Sequence, residues 1–534
     1  MHDASALQVL VLLGVSVLAL SLVARKLRVA PPIAFVVGAV PLAFVPWLPD
    51  VRLPPEVVLV IFLPALLYWE SLNTSLREIR ANLRTVMIDS IALVLATAGA
   101  VAVVGHAVGL SWPVAWVLGA VVAPTDATAV ASVAREMPRR QITILRAESL
   151  VNDGTALVLF VIAVEVATGE AHFGWLESTG AFVVSYLGGA AVGLLVAWLT
   201  VRARKIMHDA VLENTVNALA PFVAFLLAEE IHASPVLAVV ACGLALSQVN
   251  PRLVSAQTRV RSRAFWQLST FLLNGSLFVL VGLQLRGAVA NLVSYSIAAA
   301  VGYTLLISAV VIGVRLLWMY TVPYLVRAID RRPQHRSRRL RARDRLPIAW
   351  SGFRGGVSLA AALAVPVTMI DGSPFHGRDL IILVTFGVIL VTLLVQGLTL
   401  PAVLRWARLS DDSELAEWLL AERTVTEAAI AALPATARRL EVSDDVVDRM
   451  RAELEQRMAD IADRADDLAG EAEADRSPRQ EYRLLHSALL ADKRAALVRL
   501  RDAKLIDDIV LRRVQARLDA EEVRLSPSLE AESE

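Results

Sequence analysis

The chain has 534 residues, 56% of them hydrophobic, and its 52 basic and 51 acidic residues leave a net charge of +1. Apolar runs long enough to span a bilayer follow one another from Leu7 to about Trp406, which excludes a soluble globular protein and makes this an all-α polytopic membrane protein. Of the basic residues 33, but of the acidic only 21, precede Asp411, in short loops where a positive-inside bias puts them, so nucleic acid is not an implied partner; the single Cys242 excludes a disulfide or Cys/His metal framework.

In chain order, the first apolar run, 7–24, follows Met1-His2-Asp3 and precedes Arg25, Lys26 and Arg28, the reverse of a signal peptide, and is expected to be a retained helix with its N-terminus outside. Further spans are predicted at 31–48, 55–70, 86–110, 112–134, 142–168, 178–201, 211–229, 234–249, 266–285, 292–325, 347–370 and 379–407, for 13 in total. Every second connection is basic: Arg77/Arg80/Arg84, Arg135/Arg139/Arg140, Arg202/Arg204/Lys205, Arg252/Arg259/Arg261/Arg263 and the stretch from Arg327 to Arg345. The alternation places the C-terminus in the cytoplasm, as an odd number of spans requires.

Two spans are poor continuous helices. The fifth holds Ala123-Pro124-Thr125-Asp126 and the twelfth Gly352-Phe353-Arg354-Gly355-Gly356. With the seventh span set aside, the interruptions hold the same place in two halves of six spans, which an offset of seven inverts in the membrane. This predicts two inverted repeats whose discontinuous helices cross at the midplane, the plan of a secondary transporter. The sharpest chemistry lies in the sixth span, Arg146-Ala147-Glu148-Ser149-Leu150-Val151-Asn152-Asp153-Gly154-Thr155, where Ser149 and Asp153 share one helical face and Glu148 and Asn152 another. Ionisable groups inside apolar spans are costly and read as functional. Asp153, the Ser149 hydroxyl and the loosened carbonyls near Thr125 and Asp126 offer the hard oxygens that a monovalent cation needs. Desolvation favours a neutral carboxyl group and a nearby cation favours the carboxylate, so one aspartate can hold a proton or a metal ion in turn.

Pro124-Thr125-Asp126, Glu148-Ser149-Leu150 with Asn152-Asp153, and Phe353-Arg354-Gly355-Gly356-Val357-Ser358-Leu359 resemble the motifs of monovalent cation:proton antiporters, in the branch of bacterial sodium/proton antiporters and eukaryotic sodium/proton exchangers. The resemblance spans about residues 7–407. It implies a domain 1–409, with a mobile core of spans 4–6 and 11–13 against a dimer-forming scaffold, and a helical cytoplasmic tail 410–534. It implies Asp153 as the essential ion- and proton-binding carboxylate, with Asp126, Ser149 and the Thr125 carbonyl completing the Na+ site. Asn152 before Asp153 implies electroneutral one-for-one exchange, and Glu148 is expected to pair with Arg354. No cofactor is implied beyond the transported Na+, K+ or Li+ and H+, and no enzymatic role. The location implied is a bacterial inner membrane, with the lipid bilayer and a second copy of the chain as partners.

The remaining candidates carry plainer readings. Glu70 follows Trp69 where many relatives place the acid one residue earlier, and reads as interfacial. Glu229 and Glu230 read as a helix end, Asp89 as an anchor of the fourth span, and His106 as packed. Arg315, deep in the eleventh span, is placed to offset a carbonyl end or a core carboxylate, with functional and structural roles weighted equally. In the tail, Val447, Leu454, Ile461 and Leu468 recur every seven positions as an amphipathic helix, and 506–522 resembles weakly the tail helices of some bacterial members. A cation channel is the rival from another class; an intramembrane aspartyl protease is not supported, since neither Asp126 nor Asp153 lies in a Gly-x-Gly-Asp setting.

Overall fold

The computed structural model describes residues 6–45, 58–134, 137–169, 175–207, 209–290, 292, 295–329, 342–408 and 413–468, with isolated positions beyond 488. Arg135, most of the Arg-rich connection expected at 327–345 and most of the tail motif at 506–522 lie outside them. By contacts the chain divides into Met1–Ser410 and Asp411–Glu534.

In the first unit, the described residues form helices with one isolated bridge, between Thr368 and Pro374. Nine described helices are long and apolar enough to cross a bilayer, and shorter apolar helices occupy Pro31–Leu42, Val60–Leu72 and Pro235–Val249. The chain is a multi-pass membrane protein. Its elements are α1 (Ala6–Leu27), α2 (Pro31–Leu42), α3 (Leu63–Leu72), α4 (Leu76–Met87), α5 (Val94–Ala107), α6 (Trp112–Val122), α7 (Ala127–Val133) and α8 (Arg139–Thr168). Then follow α9 (Trp175–Ile206), α10 (Ala210–Glu230), α11 (Pro235–Leu253), α12 (Ala256–Ala290), α13 (Ile297–Ile329), α14 (Ala342–Trp350), α15 (Gly356–Leu363), α16 (Arg378–Val391) and α17 (Gly397–Ala407).

Local chemistry sets the ends of these elements. Asp209 caps α10 by accepting from the amides of Val211 at 2.8 Å and Leu212 at 3.1 Å. Gly169 stops α8 in the left-handed conformation that other residues avoid. The span expected at 266–285 begins earlier, at Ala256, because Arg259, Arg261 and Arg263 favour helix and no Gly or Pro intervenes before Gly275. Wide π turns at Val58–Phe62, Ile88–Leu93 and Thr392–Gln396 interrupt three further spans, a local irregularity often found near functional sites.

Packing follows membrane rules, in which close van der Waals contact replaces the hydrophobic drive between helices. Gly189 and Gly193 of α9 let α11 approach so closely that a Cβ at either would collide with the carbonyl oxygen of Ser234 or Ala238. Gly119 of α6 meets the Ala98 carbonyl of α5 in the same manner.

In the second unit, α18 (Ser413–Leu440) and α19 (Asp444–Leu468) form a helical hairpin that turns at Glu441, whose φ is 54°. Arg457 bridges the pair to Glu422 at 2.8 Å, and Ile461 of the heptad stripe is buried.

Candidate functional site

The first break starts where Pro124, which cannot donate a backbone hydrogen bond, ends α6. Asp126 then starts α7 as its N-cap: one carboxylate oxygen accepts from the amides of Thr128 at 2.9 Å and Ala129 at 3.1 Å, and from the Thr128 hydroxyl. Caps of this kind are worth about 1 kcal/mol, so part of this carboxylate is committed to backbone. The second break leaves 351–355 unwound between α14 and α15. The two breaks touch, with the Asp126 amide donating to the Phe353 carbonyl at 2.8 Å.

Such breaks free carbonyl groups that lipid cannot satisfy. Arg354, 1% exposed, satisfies one from each: its Nε donates to Val122 O, at the end of α6, at 3.0 Å, and Nη1 to Gly352 O. Its own amide reaches the Thr392 hydroxyl at 3.3 Å, in the third π turn. Two glycines make the crossing close enough. A Cβ on Gly355 would overlap the Asp126 carboxylate, and one on Gly356 the Leu277 side chain.

Helix α8 braces the first break from the side. Ser149 Oγ donates to Thr125 O at 2.9 Å and accepts from the Ala127 amide at 3.3 Å, while Asn152 Nδ2 donates to Thr125 Oγ1 at 2.7 Å. One turn on from Ser149, Asp153 is 5% exposed and makes no hydrogen bond to any described residue. It lines a cavity of about 50 Å³ together with Asp126, Glu70, Ser149, Asn274 and Ser358. Among the described residues, no Lys, Arg or His lines that cavity. A water needs about 10–15 Å³ of such space, so the cavity admits roughly three to five water-sized particles.

The structure thus brings Asp153, Asp126, Ser149 and Thr125 together around one cavity. Asn152 turns elsewhere: it lines a second cavity of about 10 Å³ with Asp89, Glu148, Arg315 and Arg354, and its Oδ1 is buried without a partner among the described residues. Its geometric task is to orient Thr125. The expected pairing of Glu148 with Arg354 is corrected. Glu148 binds Arg315 through both oxygens, at 2.5 and 3.2 Å, because Arg315 projects from mid-α13 while the Arg354 guanidinium is spent on the freed carbonyls. Arg315 also reaches Ile348 O at 3.4 Å, so it serves a core carboxylate and a carbonyl near a helix end at once.

Glu70 is likewise not a bare interfacial residue. It is half-buried at the cavity wall, with Arg146 and Asp126 among the charges near it and Oε1 without a hydrogen-bond partner among the described residues. Asp89 accepts from Trp318 Nε1 at 2.9 Å. His106 stacks on Trp112 at 4.3 Å and its Nδ1 lies 2.9 Å from Leu110 O, while Glu229 and Glu230 are exposed at the end of α10. Sequence reasoning passed over Asn274 and Ser358. Asn274 is a polar residue inside an apolar span and was detectable on that ground, whereas Ser358 stood inside a motif without a role.

Residues 12–406 match the family described as "Sodium/hydrogen exchanger, transmembrane". A Mycobacterium tuberculosis protein named as an uncharacterized Na(+)/H(+) exchanger is 44% identical over 98% of this chain and 97% of its own length. A Bacillus subtilis sodium, potassium, lithium and rubidium/H(+) antiporter is 32% identical over 66% of this chain and 54% of its own. In fold, the chain is similar to the sodium proton antiporter MjNhaP1 from Methanocaldococcus jannaschii, with a TM-score of 0.57 and 17% identity over 75% of this chain and 98% of that one.

Proposed function

Because the chain belongs to the sodium/hydrogen exchanger family, we propose that it exchanges Na+, or K+ or Li+, for H+ one for one, with cation and proton taking turns on Asp153. One observation carries this reading. A buried carboxylate faces a cavity that it shares with two further carboxylates, and among the described residues it has no hydrogen-bond partner and the cavity no basic lining side chain. Such a group is stable in a membrane only when it holds a proton or a cation.

The other groups then have defined tasks. Thr125 O, Ser149 and the second oxygen of Asp126 ligate the cation, Glu70 lines its approach, and Asn152 holds Thr125 in place. Space for several water-sized particles suits a partly hydrated ion, so discrimination among Na+, K+ and Li+ is expected to be modest. Among the relatives, the B. subtilis protein is named for four cations.

Alternating access follows from the broken helices moving as one body against α3 and α12. Arg354 and the bond from Asp126 N to Phe353 O tie the two breaks to each other, whereas Glu70 and Asn274 belong to the facing wall. Thirteen spans in two inverted repeats, an outside N-terminus, a cytoplasmic tail, a bacterial plasma-membrane location and a dimer complete the proposal.

The test uses purified protein in liposomes with a trapped pH dye. Wild type moves protons when Na+ is added outside, and an imposed membrane potential leaves the end point unchanged. Asp153→Asn reduces the signal to that of empty vesicles. Undiminished exchange in Asp153→Asn refutes the site, and proton flux without a counter-ion identifies a channel.

A further inference from the structure

We infer that Ser358 is a cation ligand supplied by the second broken helix, and that its hydroxyl sets the preference among monovalent ions. The inference rests on the proposed cation site at Asp153 and adds a residue that the sequence motifs did not assign to it.

A hydroxyl inside a membrane helix ordinarily returns to the carbonyl one turn back. This chain follows the rule in Ser71 to Leu67 O at 2.6 Å, Thr155 to Val151 O at 2.9 Å, Ser308 to Thr304 O at 2.7 Å and Thr385 to Ile381 O at 2.7 Å. Ser358 is the exception that the break creates. It is the third residue of α15, so the carbonyl four positions back belongs to Arg354, in the unwound 351–355 stretch. Its Oγ makes no such bond and has no other partner among the described residues, although the residue is only 1% exposed. A buried hydroxyl left in this state is costly unless something in the cavity binds it.

The other hydroxyls on the cavity wall each hold a protein partner already, Thr125 Oγ1 accepting from Asn152 and Ser149 keeping one lone pair for the ion. Thr128 donates to Asp126, and Ser149 both donates to Thr125 O and accepts from Ala127 N. Ser358 therefore brings lone pairs that no protein group has claimed, on the wall contributed by α15, to the cavity that Asp153 lines. The same hydroxyl suits both states of the transport cycle. It accepts nothing from a metal ion but offers it a lone pair, and once the ion has left it can hydrogen-bond to the carboxyl group or to water.

Smaller ions gain most from a direct hard oxygen, so the loss of this one falls hardest on Li+ and Na+. The experiment compares wild type with Ser358→Ala, Ser358→Cys and Ser358→Thr in proteoliposomes, reading KM and maximal rate for Na+, Li+ and K+ at one pH. Removing the oxygen, as Ala and Cys both do, is expected to raise KM for Na+ and Li+ roughly tenfold, a loss of the same order as that of one polar contact to a charge. KM for K+ rises less, the maximal rate is retained, and Thr restores the wild-type order of ions. The Cys variant keeps the volume, so it answers the question if the Ala variant does not fold. Unchanged KM for all three ions in the oxygen-free variants, or an equal rise in the Thr variant, overturns the assignment. Asp153→Asn in parallel separates the two claims: if it loses transport while Ser358→Ala and Ser358→Cys are silent, the cation site stands and only Ser358 is removed from it.

Discussion

Glycine does opposite things in two regions of this protein. On α9, Gly189 and Gly193 sit in regular helix and let the backbone of α11 come close, at the Ser234 and Ala238 carbonyls. At the crossing, Gly355 and Gly356 sit where the unwound stretch gives way to α15, and the space they leave is taken by the Asp126 carboxylate and Leu277. The first arrangement joins two rigid helices by packing, as is usual in lipid. The second joins two interrupted ones through polar groups, each already holding another. One region is closed by packing and the other is built around a cavity.

Substitutions that add a methyl group should break this contrast unequally. The largest effect is expected at the crossing: Gly355→Ala displaces the Asp126 carboxylate from the cavity, and Na+-driven proton movement falls to the level of empty vesicles. Retained transport in that variant would mean that Asp126 is not needed where it stands. Next comes the ion pair behind the site. Glu148→Gln or Arg315→Met each strands a buried charge and is expected to destabilise the protein by about 3–5 kcal/mol in thermal unfolding. The double variant should lose much less than the sum, and simple additivity would show that the two side chains do not act as a pair. Smallest is the packed seam. Gly189→Ala and Gly193→Ala should each cost about 1–3 kcal/mol, as overfilling does, and leave KM for Na+ unchanged. A shift in KM there would make α9 part of the moving body.

What the sequence disclosed depended on how local the signal was. Asp153 inside an apolar run and Pro124 ahead of Asp126 are statements about neighbouring residues, and the structure brings both to one cavity. The partner of Glu148 is a different kind of question, because Arg315 is 167 positions away and Arg354 lay equally within an apolar span. Only the depth and rotation of α13 decide between them, and hydrophobic periodicity supplies neither. Glu70 was obscured for the same reason: a residue at the end of an apolar run does not reveal which way that end faces. Ser358 shows a further limit, since a serine in a helix is ordinarily satisfied by its own backbone, and only the position of the break shows that this one is not.

The proposal as a whole turns on two cations sharing one carboxyl group. The direct measurement is KM for Na+ in proteoliposomes across a series of pH values. If proton and cation exclude each other at Asp153, KM rises by about tenfold per pH unit on the acid side while the maximal rate stays constant, as competition between one proton and one ion requires. A KM that ignores pH while the maximal rate changes would contradict a shared site.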